Sequence, residues 1–413
     1  MSGTGINRVI IIGAGQAGGE TAQRLRSGGF AGEITLIGEE RAAPYQRPPL
    51  SKKYLMGELA LDRLLLRPNE TYAQENIALL TGVRAVWVDR ASKRVRLEGG
   101  RELSYDALVL ATGARPRKLP LAGADLAGVH VLRTAADVDE MKPAFQPGAK
   151  LVVVGAGYIG LEAAAVARKM GLEVCVVETA VRPLARVTSP EVAGFFLDEH
   201  TRQGVRFVLS AQPALIKGGS HVTGVALSDG SEIPADIVIA GIGVTPEVAL
   251  AQHSGLTIEN GIVTDRQCRT SDASIFAIGD CAARPMAHYD GRVQRLESVH
   301  NAVEGGRIVA DVILGKPPHA EETPWFWSDQ YDIKLQIAGL FQGYDRLVLR
   351  GSPADRSFAA FYYGRGKLIA VDAINKPAEF LGAKMLIQKG KTIAPEVLQD
   401  VSKPMKELVA AAG

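Results

Sequence analysis

Two glycine-spaced turns carry the clearest chemical signal in the sequence. They read GAGQAG at residues 13–18 and GAGYIG at residues 155–160, and each lies between an apolar run and a helical pattern. In such a turn the first glycine permits a tight bend, the second lets the backbone approach a pyrophosphate, and the third lets helix and strand pack closely. The N-terminus of the helix then faces the negative charge. Each turn therefore predicts a dinucleotide site.

An acidic residue follows each turn at the end of the next apolar run. Glu39 and Glu40 follow ITLIG, and Glu178 follows VCVV, near the spacing of about 20 residues expected for a carboxylate that binds ribose hydroxyls. Such a carboxylate accepts from a ribose 2′-hydroxyl and repels a 2′-phosphate, so Glu178 favours NADH over NADPH. Arg182 and Arg186 leave an alternative open, because either could bind the pyrophosphate or partly tolerate the phosphate.

Two βαβ units must position these turns. A strand, a helix and a second strand are predicted within residues 7–40 and again within residues 149–178. The predicted elements are strand Val9–Ile12, helix Ala17–Gly28 and strand ITLIG in the first unit, and strand Leu151–Val154, helix Tyr158–Lys169 and strand VCVV in the second.

The 413 residues are enough for two or three domains. Apolar runs that end in glycine, DALVLATGARPRKLP and ADIVIAGIGVTPE, bracket the second βαβ unit and predict that its domain is inserted into the first. After residue 322, alternating apolar and aromatic residues predict antiparallel strands, followed by a helical stretch over 395–412. The predicted fold is α/β, with two Rossmann-like dinucleotide-binding domains, 1–114 with 248–321 and the inserted 115–247, plus a C-terminal α+β domain, 322–413.

Composition excludes several classes of protein. A hydrophobic share of 46% with 45 glycines indicates a compact α/β protein, and a net charge of +2 gives no footprint for nucleic acid. No apolar run reaches the roughly 18–20 residues that span a bilayer, and the N-terminus lacks a signal-peptide layout, so a cytoplasmic location is expected. Cys175, Cys268 and Cys281 are too few for a disulfide framework or for the four thiolates of an iron–sulfur cluster, and no metal site is predicted.

Two dinucleotide sites in one chain suggest a resident flavin and a nicotinamide that reduces it. The chain resembles the two-dinucleotide-fold flavoprotein reductases, and within them the ferredoxin reductases that serve bacterial monooxygenases and Rieske dioxygenases. The resemblance covers essentially the whole chain and implies FAD in the first domain and NADH, as substrate, in the inserted one. Besides the two glycine turns, it rests on PYQRPPLSKKYL (44–55), LATGARP (110–116), TSDASIFAIGD (270–280), ESVHNA (297–302) and PWFWSDQY (324–331).

The resemblance also implies which residues bind FAD. The first glycine turn would hold the pyrophosphate with help from Arg133, and Glu39 would bind the adenosine ribose. Asp280 would bond the ribityl chain, although a plain strand-end turn is the alternative for it. Val299, at a helix start, would offer its backbone to the pyrimidine end of the flavin. The implied FAD residues are Gly13, Gly15, Ala17, Gly18, Glu39, Arg47, Lys52, Ala85, Arg133, Asp280, Val299 and Trp327.

The same resemblance implies the residues of the second site. They include the glycine turn and the acid that follows it. The implied NADH residues are Gly155, Gly157, Tyr158, Ile159, Gly160, Glu162, Glu178, Arg186 and Gly243.

Lys52 and Glu162 are the predicted catalytic residues. In the family that this chain resembles, a lysine–glutamate pair lies beside the hydride path, and it would fix the orientation of the nicotinamide without exchanging protons with the substrate. The alternative is that Glu162 is an acid in the first turn of its helix, favoured there by the helix dipole alone.

The electron acceptor is expected to lie outside the chain. Disulfide reduction needs a cysteine pair beside the flavin, and here the first cysteine falls in a predicted buried strand, so packed thiols are expected. The resemblance implies a 2Fe-2S ferredoxin, bound transiently, that supplies a haem-thiolate monooxygenase or a Rieske dioxygenase. Arg307, Lys334 and Lys406 are the candidate docking cations, with an ordinary solvated cation as the alternative for each.

Two other functions remain open from the sequence. One is rubredoxin reductase, because acceptor specificity resides in surface charges that have no motif. The other is a nicotinamide-responsive flavoprotein that resembles apoptosis-inducing factor. A monomer is expected.

Overall fold

Each predicted βαβ unit lies at the centre of a five-stranded parallel sheet. The computed structural model describes residues 5–318 and 320–412. Its residues group into two compact units. The first comprises the described residues up to Gln46, Asp62–Arg115 and Thr245–Pro324, and the second comprises Arg47–Leu61, Pro116–Val244 and the described residues from Trp325 onward.

The parallel sheet of the first unit has the strand Arg8–Ile12 in its middle. That strand pairs with Glu33–Gly38 on one side and with Ala107–Leu110 on the other. Its apolar residues are almost completely buried because helices or loops cover both faces of a parallel sheet. In spatial order the strands are Ile275–Ala277, Ala107–Leu110, Arg8–Ile12, Glu33–Gly38 and Ile77–Thr81.

Smaller elements complete the first unit. Its helices include Gln16–Ser27 and Val299–Ile313, which pack against each other. The further helices are Asn69–Gln74, Ala249–His253 and the short 3-10 turns Gly279–Cys281 and Ala287–Tyr289. The further strands are Ala85–Asp89, Arg94–Leu97 and Glu102–Ser104 in one antiparallel sheet, and Ile258–Glu259, Gly261–Val263, Ala282–Met286 and Arg292–Gln294 in another.

The second unit repeats the parallel arrangement. The strand Lys150–Val154 lies between Glu173–Val177 and Ile237–Ala240, and the helix Tyr158–Lys169 follows it. In spatial order the strands are Arg206–Val208, Glu173–Val177, Lys150–Val154, Ile237–Ala240 and Val129–His130. The neighbouring elements are the antiparallel strands Pro213–Gly218, Val222–Leu227 and Glu232–Pro234, the helices Ala135–Met141 and Pro190–Arg202, and the 3-10 turns Pro48–Ser51 and Lys142–Ala144.

An antiparallel sheet forms the C-terminal part of the second unit. Trp325–Gln330 is one of its edge strands. In spatial order the strands are Trp325–Gln330, Ile333–Gly339, Lys367–Ile374, Ser357–Gly364 and Arg346–Ser352. The remaining elements of this part are the helices Pro377–Gln388, Pro395–Gln399 and Met405–Ala412 and the 3-10 turn Pro353–Asp355.

Three short elements contain points at which the chain passes between the units. They are the strands Ala114–Pro116 and Val244–Pro246 and the 3-10 turn Leu61–Leu64.

The predicted fold class is confirmed, with two Rossmann-like sheets and a C-terminal α+β part. The helix Tyr158–Lys169 has its predicted bounds, the helix Gln16–Ser27 begins and ends one residue earlier than predicted, and each of the four strands of the two βαβ units begins one residue earlier than predicted. The helical stretch predicted over 395–412 is two helices, because residues 400–404, which include Pro404, interrupt it. Since Arg47–Leu61 groups with the second unit, the division into three domains at 114, 247 and 321 stays a prediction. Within residues 5–318 and 320–412, every helix is too short or too polar to cross a bilayer.

Candidate functional site

The first glycine turn has the geometry that a pyrophosphate requires. Gly13 has φ +113°, and a Cβ there would lie 2.0 Å from the carbonyl oxygen of Ala111. A Cβ at Gly18 would lie 2.0 Å from the Gly13 carbonyl oxygen, so these two glycines are required by the fold itself. A Cβ at Gly15 would meet no atom within 4 Å. The protein therefore leaves space at the second glycine, where the motif places a phosphate.

The second glycine turn repeats this arrangement. Gly155 has φ +104°, and a Cβ there would lie 2.5 Å from the Gly241 carbonyl oxygen, while a Cβ at Gly160 would lie 2.4 Å from that of Gly155. A Cβ at Gly157 would again meet nothing within 4 Å. The turns fit two dinucleotides, since in each only the middle glycine is unexplained by contacts within the protein.

The helices after both turns begin without a side-chain cap. Gly15 and Gly157 are the N-cap residues of the helices Gln16–Ser27 and Tyr158–Lys169, and neither can supply a capping oxygen. The first backbone N–H groups of a helix need an acceptor, and a phosphate at this position provides one while it interacts favourably with the helix dipole.

The two strand-end acids lie in different surroundings. Glu178 is bonded to the second glycine turn, because its Oε2 accepts from the backbone N–H of Ala156 at 2.8 Å and its Oε1 from that of Ala180 at 2.9 Å. Glu39 is exposed and its Oε2 lies 3.1 Å from Nη2 of Arg115. Both acids follow the strand next to their glycine turn, as the ribose contact requires.

The first unit places Asp280 and Val299 near its glycine turn. A Cβ at Gly279, next to Asp280, would lie 3.2 Å from the Cβ of Ala17. Asn301, in the first turn of the helix Val299–Ile313, donates from Nδ2 to the Leu296 carbonyl at 2.8 Å and to the Gly279 carbonyl at 3.4 Å. These contacts bring three of the predicted FAD segments together.

The remaining predicted FAD residues are distributed as follows. Arg47 donates from Nη1 to the backbone carbonyl of Arg133 at 2.6 Å, so these two predicted FAD residues are neighbours in the second unit. Ala85 is buried at the start of the strand Ala85–Asp89 in the first unit. Trp327 is half-buried, with its ring centroid 5.5 Å from that of Trp325.

Lys52 and Glu162 form the ion pair that was predicted. Nζ of Lys52 lies 2.6 Å from Oε2 of Glu162, and the side chains are 18% and 6% exposed. Ser51 donates from Oγ to the same carboxylate oxygen at 2.5 Å. Glu162 is the fifth residue of its helix, beyond the first turn, and it is buried with specific partners, so the alternative of a first-turn acid favoured by the helix dipole alone is wrong. The catalytic role of the pair stays a prediction.

Other predicted NADH residues surround the second turn. The guanidinium of Arg186 lies 3.7 Å from the position of a Cβ at Gly243. Tyr158 donates to the carbonyl of Val187 at 3.3 Å, and Ile159 is exposed. Arg182 instead donates to backbone carbonyls, from Nη2 to Ala185 at 3.1 Å and to Thr188 at 3.0 Å, and from Nη1 to Ser189 at 3.5 Å. Arg186 is therefore the better placed of the two arginines for a nucleotide.

The three docking candidates differ in their surroundings. Arg307 is one-quarter exposed, with Nη2 2.7 Å from Oε2 of Glu304 and Nη1 3.3 Å from Oε1 of Glu322. Lys334 and Lys406 are exposed. Two acidic partners already compensate the charge of Arg307, so Lys406 and Lys334 offer more accessible positive charge.

The three cysteines are buried and form no disulfide. Burial raises the pKa of the Cys175 and Cys281 thiols and raises that of Cys268 to about 12. A thiol reacts as the thiolate, so these residues are packed thiols, as predicted.

Two polar residues that bond to Glu162, one directly and one through the other, were not predicted from the sequence. Ser328 donates from Oγ to Oε1 of Glu162 at 2.6 Å, and Gln330 donates from Nε2 to Ser328 Oγ at 3.1 Å. Both residues lie in PWFWSDQY, and the available signal was that two polar residues two positions apart share one face of a predicted strand with Phe326.

Comparison with known proteins agrees with this geometry. The family model for pyridine nucleotide-disulphide oxidoreductases matches residues 7–306, and the model for the reductase C-terminal domain matches residues 325–409. The chain is 45% identical to the probable ferredoxin reductase CtmF of Castellaniella defragrans, over 98% of each chain. It is 43% identical to the putidaredoxin reductase CamA of Pseudomonas putida, over 98% of this chain and 97% of that one. A crystal structure of the covalent putidaredoxin reductase–putidaredoxin complex matches with a TM-score of 0.96 at 43% identity, over 98% of this chain and 99% of that one.

Proposed function

Because the chain belongs to the pyridine nucleotide-disulphide oxidoreductase family, and is thus a flavoenzyme that binds FAD and uses a nicotinamide nucleotide, we propose that it is an NADH-dependent ferredoxin reductase. The observation that carries the proposal is the pair of glycine turns, each with a middle glycine that faces open space and an uncapped helix behind it. Relatives that share essentially the whole chain are named as ferredoxin or putidaredoxin reductases. We expect the acceptor to be a 2Fe-2S ferredoxin of an oxygenase system.

FAD is assigned to the first glycine turn and NADH to the second. FAD supplies the conversion of one hydride into two single-electron transfers. Gly13, Gly15, Ala17 and Gly18 would hold its pyrophosphate, and Asp280 and the helix that starts at Val299 lie in the same unit as that turn. Glu178, with its carboxylate bonded at the second turn, would accept from the ribose of NADH.

Lys52 and Glu162 would orient the nicotinamide. The 2.6 Å ion pair places a positive charge in a largely buried setting, where electrostatic interactions are stronger than in water. The glutamate neutralises part of that charge and holds the ammonium in one place.

The ferredoxin would bind transiently through positive charge on the reductase. Lys406 and Lys334 are exposed cations suited to fast, salt-sensitive association with an acidic partner. Arg307 would contact the partner's acidic groups only if its ion pairs with Glu304 and Glu322 broke. A monomeric state and a cytoplasmic location are also part of this proposal. Size-exclusion chromatography with light scattering checks the first of these.

The deciding experiment is NADH-driven reduction of cytochrome c by the FAD-loaded protein, with and without a 2Fe-2S ferredoxin from the same host. We expect the rate to depend strongly on the ferredoxin and to fall as salt rises. Rubredoxin in place of the ferredoxin is the matched control. If NADH reduces the flavin but the ferredoxin adds nothing, the acceptor assignment is wrong.

A further inference from the structure

A continuous chain of hydrogen-bonded polar side chains connects Tyr331 to Glu162 and passes through His200, in the helix Pro190–Arg202. It begins at Tyr331, whose hydroxyl lies 3.1 Å from Nδ1 of His200, and Nε2 of His200 lies 2.7 Å from Oε1 of Gln330. Gln330 then contacts Ser328, and Ser328 contacts Glu162, through the bonds of 3.1 Å and 2.6 Å given above. All five residues belong to the second unit.

The middle of this chain is sealed from solvent. Ser328, Gln330 and His200 are between 0% and 1% exposed. A buried polar side chain costs free energy unless its hydrogen bonds are made, and apolar side chains are the usual occupants of such positions. Three buried polar residues are linked to one another by hydrogen bonds, and the last of them donates to one carboxylate. This arrangement needs an explanation beyond packing.

All of the hydrogen bonds in the chain run in one direction. Burial lowers the pKa of His200 to about 4, so the imidazole is neutral, with one nitrogen that donates and one that accepts. Ser328 donates to the carboxylate and so accepts from the amide of Gln330, which leaves Oε1 of Gln330 to accept from Nε2–H of His200. Nδ1 of His200 then accepts from Tyr331.

The direction matters because bonds that point the same way polarise one another. The last donor in the chain, Ser328 Oγ–H, is directed at Oε1 of Glu162, while Ser51 and Lys52 hold Oε2. The carboxylate is thus fixed at both oxygens by partners from different segments, and it cannot rotate without breaking bonds on both sides.

We propose that Ser328, held in place by Gln330 and His200, is a positioning residue that fixes the carboxylate of Glu162 and, through it, the ammonium of Lys52. This inference rests on the role of the Lys52–Glu162 pair in the proposed function. It predicts that these hydrogen bonds control the rate of flavin reduction by NADH and that their loss leaves FAD binding unchanged.

The test is stopped-flow reduction of the FAD-loaded protein by NADH, without ferredoxin. Ser328→Ala removes the last donor, and we expect the rate constant for flavin reduction to fall about tenfold, the effect of one lost hydrogen bond to a buried charge. Gln330→Met replaces the amide by an apolar side chain of similar shape, and it should lower the rate constant for flavin reduction by a smaller factor. Flavin content and reduction by dithionite should match the wild type.

The matched control is Tyr362→Phe. Tyr362 also donates to a buried carboxylate of the second unit, Oδ2 of Asp372 at 2.6 Å, and its removal should lower the unfolding temperature without changing the rate of flavin reduction. If Ser328→Ala lowers stability as Tyr362→Phe does and keeps the wild-type rate, the role of Ser328 is structural and the proposal is overturned.

A spectroscopic measurement checks the direction of these hydrogen bonds independently of activity. In the wild type, a ¹⁵N–¹H correlation spectrum of the imidazoles should show neutral His200 as the Nε2–H tautomer, and Gln330→Met should change that signal. An Nδ1–H tautomer of His200 in the wild type would show that the hydrogen bonds do not all run in one direction and would contradict the proposal. If NADH does not reduce the flavin of the wild type, the proposed function is wrong. If NADH reduces the wild type and every variant at the same rate, the proposed function stands and only the positioning role of Ser328 is wrong.

Discussion

The carboxylate of Glu178 accepts a hydrogen bond of 2.8 Å from the backbone N–H of Ala156, inside the second glycine turn. The end of one strand is therefore bonded to the turn that follows the neighbouring strand. The hydrogen bond therefore fixes the position of the acid that would bind ribose relative to the backbone that would bind phosphate.

Glu178→Gln should weaken the discrimination between the two nicotinamide nucleotides. The amide keeps an acceptor for Ala156 but loses the charge that repels a 2′-phosphate, so we expect the kcat/KM ratio of NADPH to NADH to rise about tenfold. Glu173→Gln is the matched control, because Glu173 is an exposed acid at the start of the same strand. Steady-state kinetics with both nucleotides measure the ratio, and equal ratios in Glu178→Gln and the wild type would contradict the assignment.

Alanine at two glycines of the second turn should separate folding from binding. Gly157→Ala meets no protein atom within 4 Å, so the unfolding temperature should stay near that of the wild type while KM for NADH rises about tenfold. Gly155→Ala must hold a side chain at φ +104° and 2.5 Å from a carbonyl oxygen, so it should destabilise the fold itself. Thermal unfolding and NADH titration distinguish the two variants, and equal loss of stability in both would show that Gly157 also serves the fold.

Removing one partner of the Lys52–Glu162 pair should leave a buried, unbalanced charge. We expect Lys52→Gln to destabilise the protein by up to about 3 kcal/mol and to slow flavin reduction by NADH. The double variant Lys52→Gln with Glu162→Gln should recover most of the stability but not the rate. Lys53→Gln, at the exposed neighbouring lysine, is the control, and urea unfolding combined with stopped-flow absorbance gives both quantities.

Stability should also depend on pH through Asp372. Burial raises the pKa of this carboxyl from 3.8 to about 6, although Thr188 and Tyr362 donate to it. The folded protein then holds the proton more tightly than the unfolded chain, so this contribution is fully present below about pH 4 and is lost as pH rises through 6. It amounts to at most about 3 kcal/mol, since one pKa unit corresponds to about 1.4 kcal/mol.

Asp372→Asn isolates that contribution. The difference in unfolding free energy between the wild type and Asp372→Asn should favour the wild type more at pH 4.5 than at pH 7.5, as measured by urea unfolding at each pH. A difference that is constant with pH would mean that Asp372 keeps an ordinary pKa.

Lys406→Glu should slow ferredoxin reduction at low salt by several-fold and leave flavin reduction by NADH unchanged, because a docking cation acts on association and not on hydride transfer. Lys367→Glu, at an exposed lysine outside the proposed set, should have little effect on either step. Loss of rate that is equal for both lysines would point to net charge instead of a docking position.

The sequence predicted what depends on local pattern. Buried parallel strands must be apolar on both faces, so Leu151–Val154 was recognisable, and the glycines from Gly155 to Gly160 have the spacing of a dinucleotide-binding turn. The chain behind Glu162 was not predictable in the same way. Ser328 and His200 are ordinary polar residues in their own segments. Only the packing of the strand Trp325–Gln330 against two helices links them to Glu162, Ser328 directly and His200 through Gln330.

One β-strand register controls several parts of this site. In Trp325–Gln330, Phe326 packs against Tyr158, Ser328 against Glu162 and Gln330 against His200, while Trp327 points to the opposite face. A slip of one residue against the neighbouring strand Ile333–Gly339 could place Trp327 in the position of Ser328. An indole would then replace the hydroxyl that donates to the carboxylate of Glu162. An insertion or deletion in this edge strand would therefore do more damage to the enzyme than most single substitutions there, since it would misplace the aromatic and the polar residues together.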